Sequence, residues 1–242
     1  MTPGVVLRSC AFAVFQTVIT PFFALVALAS FPLAPLVRYR IITQWSRLTL
    51  AAARVICGIR YRVLGTENIP REPCVILANH QSAWETLAFQ VIFPPQVWVV
   101  KRELLWIPFF GWGLAMLSPI AIDRGAGARA LRQTLEQGRE RLARGFFLVI
   151  FPEGTRVAPG ERRRYHPGGA WLAIQAAAPV LPVAHNSGTL WPRNAFIKRP
   201  GLVTVSIGEA IPTGGAAADA LNARVEAWID QETQRIGRHE RN

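Results

Sequence analysis

The sequence predicts an α/β fold: a central mixed sheet flanked by helices, with an N-terminal hydrophobic helical membrane anchor. Three observations carry this prediction. From about residue 59 onward, short apolar runs alternate with amphipathic stretches, the pattern of an α/β domain. Before that, no residue from Ser9 to Val37 is charged. The chain as a whole is both greasy and basic, with 51% hydrophobic residues, 17% charged residues and a formal net charge of +12. Residues 1–58 are accordingly read as membrane-anchoring helices and residues 59–242 as one α/β domain.

The composition excludes several classes. Soluble domains carry roughly 25% charged residues, so this chain has ample apolar surface to offset the entropy of ordering, and disorder is out. Cys10, Cys57 and Cys74 are few, odd in number and irregularly spaced, which fits neither a disulfide framework nor a zinc site. The positive charge implies an anionic partner, either nucleic acid or a membrane surface. Its distribution favours the membrane. Arg8, Arg38, Arg40, Arg47, Arg54, Arg60 and Arg62 all precede the first acidic residue, Glu67. They flank the apolar run instead of forming a stripe with interleaved aromatics, and no nucleic-acid recognition motif is present.

As one straight helix, Ser9–Val37 would reach about 44 Å, against about 30 Å for a bilayer core. Pro21 interrupts the run and Pro32 and Pro35 follow it, so two half-helices dipping into one leaflet compete equally with a span. A secretory signal ending near Ala27-Leu28-Ala29 is the lesser reading, because the run is long for one and the cysteines give no support for export. Flanking arginines favour the anionic cytoplasmic leaflet, which predicts the inner (cytoplasmic) membrane with the working face toward the cytoplasm. Ile41–Ile56 reads as a helix with Arg47 and Arg54 on one face, suited to lie along the interface.

Beyond this, strands are predicted at Arg60–Leu64, Cys74–Ala78, Val97–Val100, Pro119–Ile122, Phe146–Phe151, Val180–Ala184 and Val203–Ile207. Helices are predicted at Ser82–Ile92, Arg129–Ala143, Ala170–Ala177 and Ala217–Arg235; Leu131, Leu135 and Leu142 give the second of these a buried face. Pro108–Gly113 and Pro192–Gly201 read as loops.

Chemistry gathers where apolar strands end. Cys74–Ala78 runs into Asn79-His80, and a helix follows. If that helix begins near Ser82, its first turn brings Glu85 back toward His80, and a carboxylate on one imidazole nitrogen makes the other a general base. Ser82-Ala83-Trp84-Glu85 is equally an S-x-x-E capping box, which needs no catalysis. Phe146–Phe151 leads into Pro152-Glu153-Gly154-Thr155-Arg156, a turn that offers hydroxyl and guanidinium donors suited to phosphate. Lys101-Arg102 ends another strand and Asp123-Arg124 a fourth. In open α/β sheets ligands bind at the carboxyl ends of strands. A histidine–carboxylate pair ringed by Lys101, Arg124 and Arg156 describes a base acting beside an anionic substrate.

Asn79–Glu85, Ile122-Asp123-Arg124, Phe151–Arg156 and Val180–Val183 resemble, in order and spacing, the four motifs of the glycerolipid acyltransferases, nearest to the lysophosphatidic acid acyltransferases among them. The resemblance covers roughly Tyr61 to Ile211. It implies a membrane-anchored α/β enzyme that moves a fatty acyl group from acyl-CoA or acyl carrier protein to the sn-2 hydroxyl of lysophosphatidic acid, giving phosphatidic acid. It also implies that the donor is a substrate and that no metal or other cofactor takes part. By the same resemblance His80 is the base and Glu85 its orienting carboxylate, at a position where the family usually has Asp. Lys101, Arg124 and Arg156 fall at positions associated with the substrate phosphate. Glu153, Gly154 and Thr155 lie in the glycerol-binding turn. Tyr165-His166-Pro167-Gly168 departs from the family's aromatic-Lys-x-Gly element, and the preceding Arg162-Arg163-Arg164 reads as a solvated loop near headgroups. Another lysolipid or glycerol 3-phosphate is the alternative acceptor. A non-enzymatic anionic-lipid-binding protein is the alternative class, disfavoured because a binder needs no base. The partners so implied are the anionic bilayer and the acyl donor, not nucleic acid.

Overall fold

The computed structural model describes residues 2–123 and 127–239. Three helices lead: α1 (Pro3–Ala29), α2 (Pro35–Ile42) and α3 (Gln44–Cys57). Then follow β1 (Ile59–Leu64), β2 (Val75–Ala78), α4 (Trp84–Ile92), β3 (Gln96–Lys101), α5 (Phe110–Met116), β4 (Ile120–Ile122), α6 (Gly127–Ala143), β5 (Phe147–Ile150), α7 (Gly168–Gln175), β6 (Val180–His185), β7 (Gly201–Ile207) and α8 (Ala218–His239). The strands form one seven-stranded sheet in the order β1-β7-β6-β2-β5-β3-β4. Strands β6, β2, β5, β3 and β4 run parallel. β7 turns antiparallel to β6 and carries β1 parallel to itself at the edge. The mixed sheet flanked by helices is the predicted class.

The central strands are apolar along their whole length because both faces are covered. Every residue of β2 and of β6 is buried, as expected for parallel strands between helical layers. On the sheet, α6, α7 and α8 pack on one another and over β5, β2 and β6, while α1 to α5 form a second connected group. One hydrophobic cluster runs through both, from Phe12 and Ala27 of α1 to Val225 and Ile229 of α8.

The bend in the N-terminal segment lies elsewhere than Pro21. α1 continues through that proline, and the chain turns only after Ala29, where the Ser30 hydroxyl bonds the Ala27 carbonyl and Pro35 opens α2 at its first turn. Proline at N1 costs no helical hydrogen bond. α1 is long and apolar enough to cross a membrane, yet one flank is packed. It lies against α3 and α5, and Phe12 meets Trp191 edge-on with ring centroids 5.3 Å apart. The other flank exposes Leu7, Val14, Val18, Phe22 and Leu25.

Pro108–Gly113, expected as a loop, enters helix α5. Its glycines argued against a helix, but Gly111 serves close packing: a Cβ there would stand 2.3 Å from the Leu105 carbonyl oxygen. The result is an aromatic outcrop beside α1, in which Trp106 is 71% exposed and Ile107, Phe109 and Trp112 are also exposed.

Where β1 ends, Gly65 takes a left-handed φ of +76°, and a Cβ would lie 2.2 Å from the Ile207 carbonyl oxygen. That same oxygen accepts a hydrogen bond from Asn68 Nδ2 at 2.9 Å, which ties the β1 end to β7. Gly65→Ala combines backbone strain with a clash against backbone, so it is expected to cost about 1–3 kcal/mol of stability. Chemical denaturation of the two proteins in the same detergent measures this; equal midpoints would contradict it.

Candidate active site

The parallel group places five strand ends on one edge of the sheet. β2 delivers Asn79-His80, β3 Lys101, β4 Asp123, β5 the turn from Phe151 to Arg156, and β6 His185-Asn186. β2 and β6 are in register, Ala78 opposite Val183. Beyond that pair the two chains stay laced by side chains. Asn79 Nδ2 donates to the His185 carbonyl at 2.9 Å, Asn79 Oδ1 accepts the His185 N–H at 3.0 Å, and His185 Nε2 lies 2.7 Å from the Asn79 carbonyl.

Among the described residues, His80 is held at every polar atom but one. Its backbone N–H donates to Glu153 Oε2, and its carbonyl accepts the Val157 N–H at 2.7 Å. Its ring stacks on Phe151 with centroids 4.0 Å apart and planes 9° off parallel. Nδ1 sits 2.7 Å from Glu85 Oε1. A carboxylate only accepts, so Nδ1 carries the proton, and Nε2 is left as the basic nitrogen for the cavity that His80 lines.

Glu85 lies behind His80 with no exposure. Oε1 also accepts the backbone N–H groups of Gln81 at 3.0 Å and Ser82 at 2.8 Å, and Oε2 accepts the Ser187 hydroxyl at 2.8 Å. Burial alone would raise this carboxyl; the nearby histidines and the hydrogen bonds from His80 and Ser82 outweigh it and hold it well below the usual carboxylate range. The capping box is present as well. Ser82 Oγ accepts the Trp84 N–H at 3.0 Å, and Glu85 returns the bond to the Ser82 N–H.

In front of His80 opens a cavity of about 1030 Å³. Its inner walls are apolar, from Phe23 and Ala24 of α1, Trp45 of α3, Leu87 of α4 and Phe110 and Leu114 of α5. The sequence-predicted residues Lys101, Glu153, Gly154, Thr155 and Arg156 line it together with His80. Arg124 lies outside the described residues. Arg163 and His166 line the cavity too, so the Arg162-Arg163-Arg164 stretch, expected as a solvated loop, reaches the site at Arg163. Sequence reasoning passed over His185 and Ser187, and noted Asn79 only as the neighbour of His80. The available signal was that β2 ends in Asn-His and β6 ends in His-Asn, two buried strands that finish in matched polar pairs.

The two acidic residues of the site are driven apart. Glu153 is buried, with the His80 N–H opposing that burial and the Glu85 charge adding to it, and its carboxyl is pushed up to about 8 from an ordinary 4.5. A carboxyl that keeps its proton to higher pH when folded loses stability as pH rises from its unfolded value through its folded one. A glutamine can still accept the His80 N–H through its amide oxygen. The Glu153→Gln variant is therefore expected to gain about 1 kcal/mol or more relative to the natural chain between pH 5 and pH 8. Paired denaturation curves across that range measure it; a difference that stays flat would contradict the burial of a titrating carboxyl here.

Comparison with known proteins fits this geometry. A family model described as acyltransferase matches residues 60–186. The 1-acyl-sn-glycerol-3-phosphate acyltransferase of Pseudomonas aeruginosa is 47% identical over 215 residues, covering 86% of this chain and 84% of that protein. The protein of the same name from Saccharomyces cerevisiae is 30% identical over 197 residues, covering 78% of this chain and 65% of that one. The crystal structure of the 1-acyl-sn-glycerophosphate (LPA) acyltransferase PlsC from Thermotoga maritima shares the fold, with a TM-score of 0.81 at 24% identity over 96% of this chain and 95% of that one. The matched stretch runs from β1 to the end of β6 and so takes in His80, Glu85, the Glu153 turn and Ser187's approach; by that extent of likeness the chain belongs to the acyltransferase family and is an enzyme of acyl transfer.

Proposed function

We propose that the chain transfers a fatty acyl group from a thioester donor, acyl-CoA or acyl carrier protein, to the sn-2 hydroxyl of lysophosphatidic acid. The observation that carries this reading is the His80 Nδ1–Glu85 contact of 2.7 Å at the wall of an apolar cavity with cationic residues on its lining. The relatives named above supply the acceptor. In the proposed reaction both substrates are bound at once. His80 Nε2 takes the proton of the acceptor hydroxyl as its oxygen attacks the thioester carbonyl carbon. Glu85 balances the imidazolium so formed. Collapse of the tetrahedral intermediate breaks the carbon–sulfur bond, and the leaving thiolate takes the proton from Nε2. The apolar walls suit acyl chains, and Lys101, Arg156 and Arg163 suit the acceptor phosphate. Side chains carry each of these steps, and the donor enters as substrate.

We infer further that the enzyme works from a membrane surface. The exposed flank of α1 and the outcrop at Trp106, Ile107 and Trp112 adjoin through the packing of α1 on α5, and indole rings favour the headgroup level. The N-terminal arginines fit an anionic cytoplasmic leaflet, which would set the cavity at the cytoplasmic face of the inner membrane.

Two measurements test these readings. His80→Ala should lower kcat by about 100-fold or more while far-ultraviolet circular dichroism stays unchanged; near-normal turnover would remove the base. The same assay, run with one acyl-CoA against lysophosphatidic acid, other lysolipids and glycerol 3-phosphate, should rank lysophosphatidic acid first. For the membrane, replacing Val14, Val18 and Leu25 together by serine should weaken co-sedimentation with vesicles containing anionic phospholipid by at least about tenfold. Unchanged sedimentation would show that this flank does not enter the bilayer.

A further inference from the structure

His185 and Ser187 are both fully buried, both polar, and neither lines the cavity. Ser187 bonds the Glu85 oxygen that His80 does not, and His185 contacts Ser187. Ser187 follows β6 at the start of a short 3-10 turn, and its hydroxyl donates to Glu85 Oε2 at 2.8 Å. Every other bond to the carboxylate described above falls on Oε1 and comes from the segment 80–82. A carboxylate pinned through one oxygen alone can still rotate about its last side-chain torsion, which is broad and soft. The Ser187 bond, arriving from another strand, removes that freedom.

Ser187 is itself fixed. His185 Nε2 faces the Asn79 carbonyl at 2.7 Å. A carbonyl only accepts, so Nε2 carries the proton and Nδ1 of the neutral ring is an acceptor. That Nδ1 faces the Ser187 N–H at 3.4 Å and its hydroxyl oxygen at 3.1 Å. The single hydroxyl proton has two acceptors within reach, and the shorter contact to a charged oxygen takes it, so His185 Nδ1 holds Ser187 through the Ser187 N–H alone. Gly188 N–H meanwhile donates to Gln81 Oε1 at 3.1 Å. The contacts close a ring: Asn79 to His185, His185 to Ser187, Ser187 to Glu85, and Glu85 to His80 beside Asn79.

We propose that Ser187, seated by His185, is a positioning residue for the acyl-transfer step, fixing the Glu85 carboxylate so that Oε1 holds His80 in its reactive orientation. This rests on the assignment of His80 as base. Ser187 touches no substrate in this scheme, so its loss affects the step that needs an oriented base and leaves binding in place.

The test compares the natural enzyme, Ser187→Ala, Ser187→Thr, Glu85→Gln, the Ser187→Ala/Glu85→Gln double variant and His80→Ala in one assay. Ser187→Ala should lower kcat about 10- to 100-fold, since small misplacements of a reacting group cost on this order, with the acceptor KM within about twofold of the natural value. Ser187→Thr should recover much of the loss by restoring the hydroxyl. In the Glu85→Gln background Ser187→Ala should cost far less than it does alone, the mark of two groups acting as a unit. Ser187→Ala with kcat within about twofold of natural, or an equal loss in both backgrounds, would overturn the positioning role while a dead His80→Ala variant left the base in place. An active His80→Ala variant would overturn both.

Discussion

A carboxylate with no access to water governs this site. Moving an ion of that kind into a protein interior costs several kcal/mol even after relaxation, and the cost is met only by donors in good geometry. Glu85 receives four: His80 Nδ1, the N–H groups of Gln81 and Ser82, and the Ser187 hydroxyl. Those donors come from the ends of two different strands, β2 and β6. The charge therefore acts as a constraint on the fold. The two strand ends must approach closely, in one register, or the carboxylate is left uncompensated. The Asn79–His185 lacing is the backbone form of the same demand.

Parallel pairing is what makes the constraint satisfiable. Because β6, β2, β5, β3 and β4 run the same way, their carboxyl ends share an edge, and each strand contributes a polar residue there. The apolar side of the cavity has a different origin. It is built from α1, α3, α4 and α5, so α1 and α5, which also expose apolar side chains, furnish part of the inner wall beside His80. The exposed flank of α1 and its cavity-lining residues belong to one helix, which puts that wall of the cavity within a helix diameter, about 10–12 Å, of the surface proposed to meet lipid.

The same division explains what could be read in advance. All seven strands and four of the five helices that follow β1, namely α4, α6, α7 and α8, were legible: a central strand buried on both faces must be an unbroken apolar run, and a covering helix must show an apolar stripe. His80 with Glu85 was legible because five residues span one strand-to-helix turn. α5 was hidden by glycines that look like helix breakers but serve the close approach of Gly111 to the Leu105 carbonyl. Ser187 was hidden for a stronger reason. It lies 102 residues from its partner, and no spacing rule links two strand ends until the sheet order is known. The bend at residues 30–34 in place of Pro21 belongs with these, since packing of α1 along α3 and α5 overrides a single missing helix bond.

Glu85 had two competing readings, a helix cap and a catalytic carboxylate; the cap is present, and the contacts that make it also serve the proposed catalytic role. The Ser82 N–H that a capping box must satisfy is one of the donors that let Glu85 stay ionised while buried. An ionised carboxylate at that place is what keeps the proton on His80 Nδ1 and the lone pair on Nε2. Glu153, on the other side of His80, shows the contrast. Burial pushes it up to about 8, against one backbone donor, whereas Glu85, also buried, is held low by the neighbouring His185 and His80 and the Ser82 N–H. Two carboxyls around one imidazole thus take opposite states near neutrality, the charged one aligned with the ring and the protonating one on its backbone. In the proposed reaction, separating them in this way leaves a single negative charge to balance the imidazolium when Nε2 takes the acceptor proton.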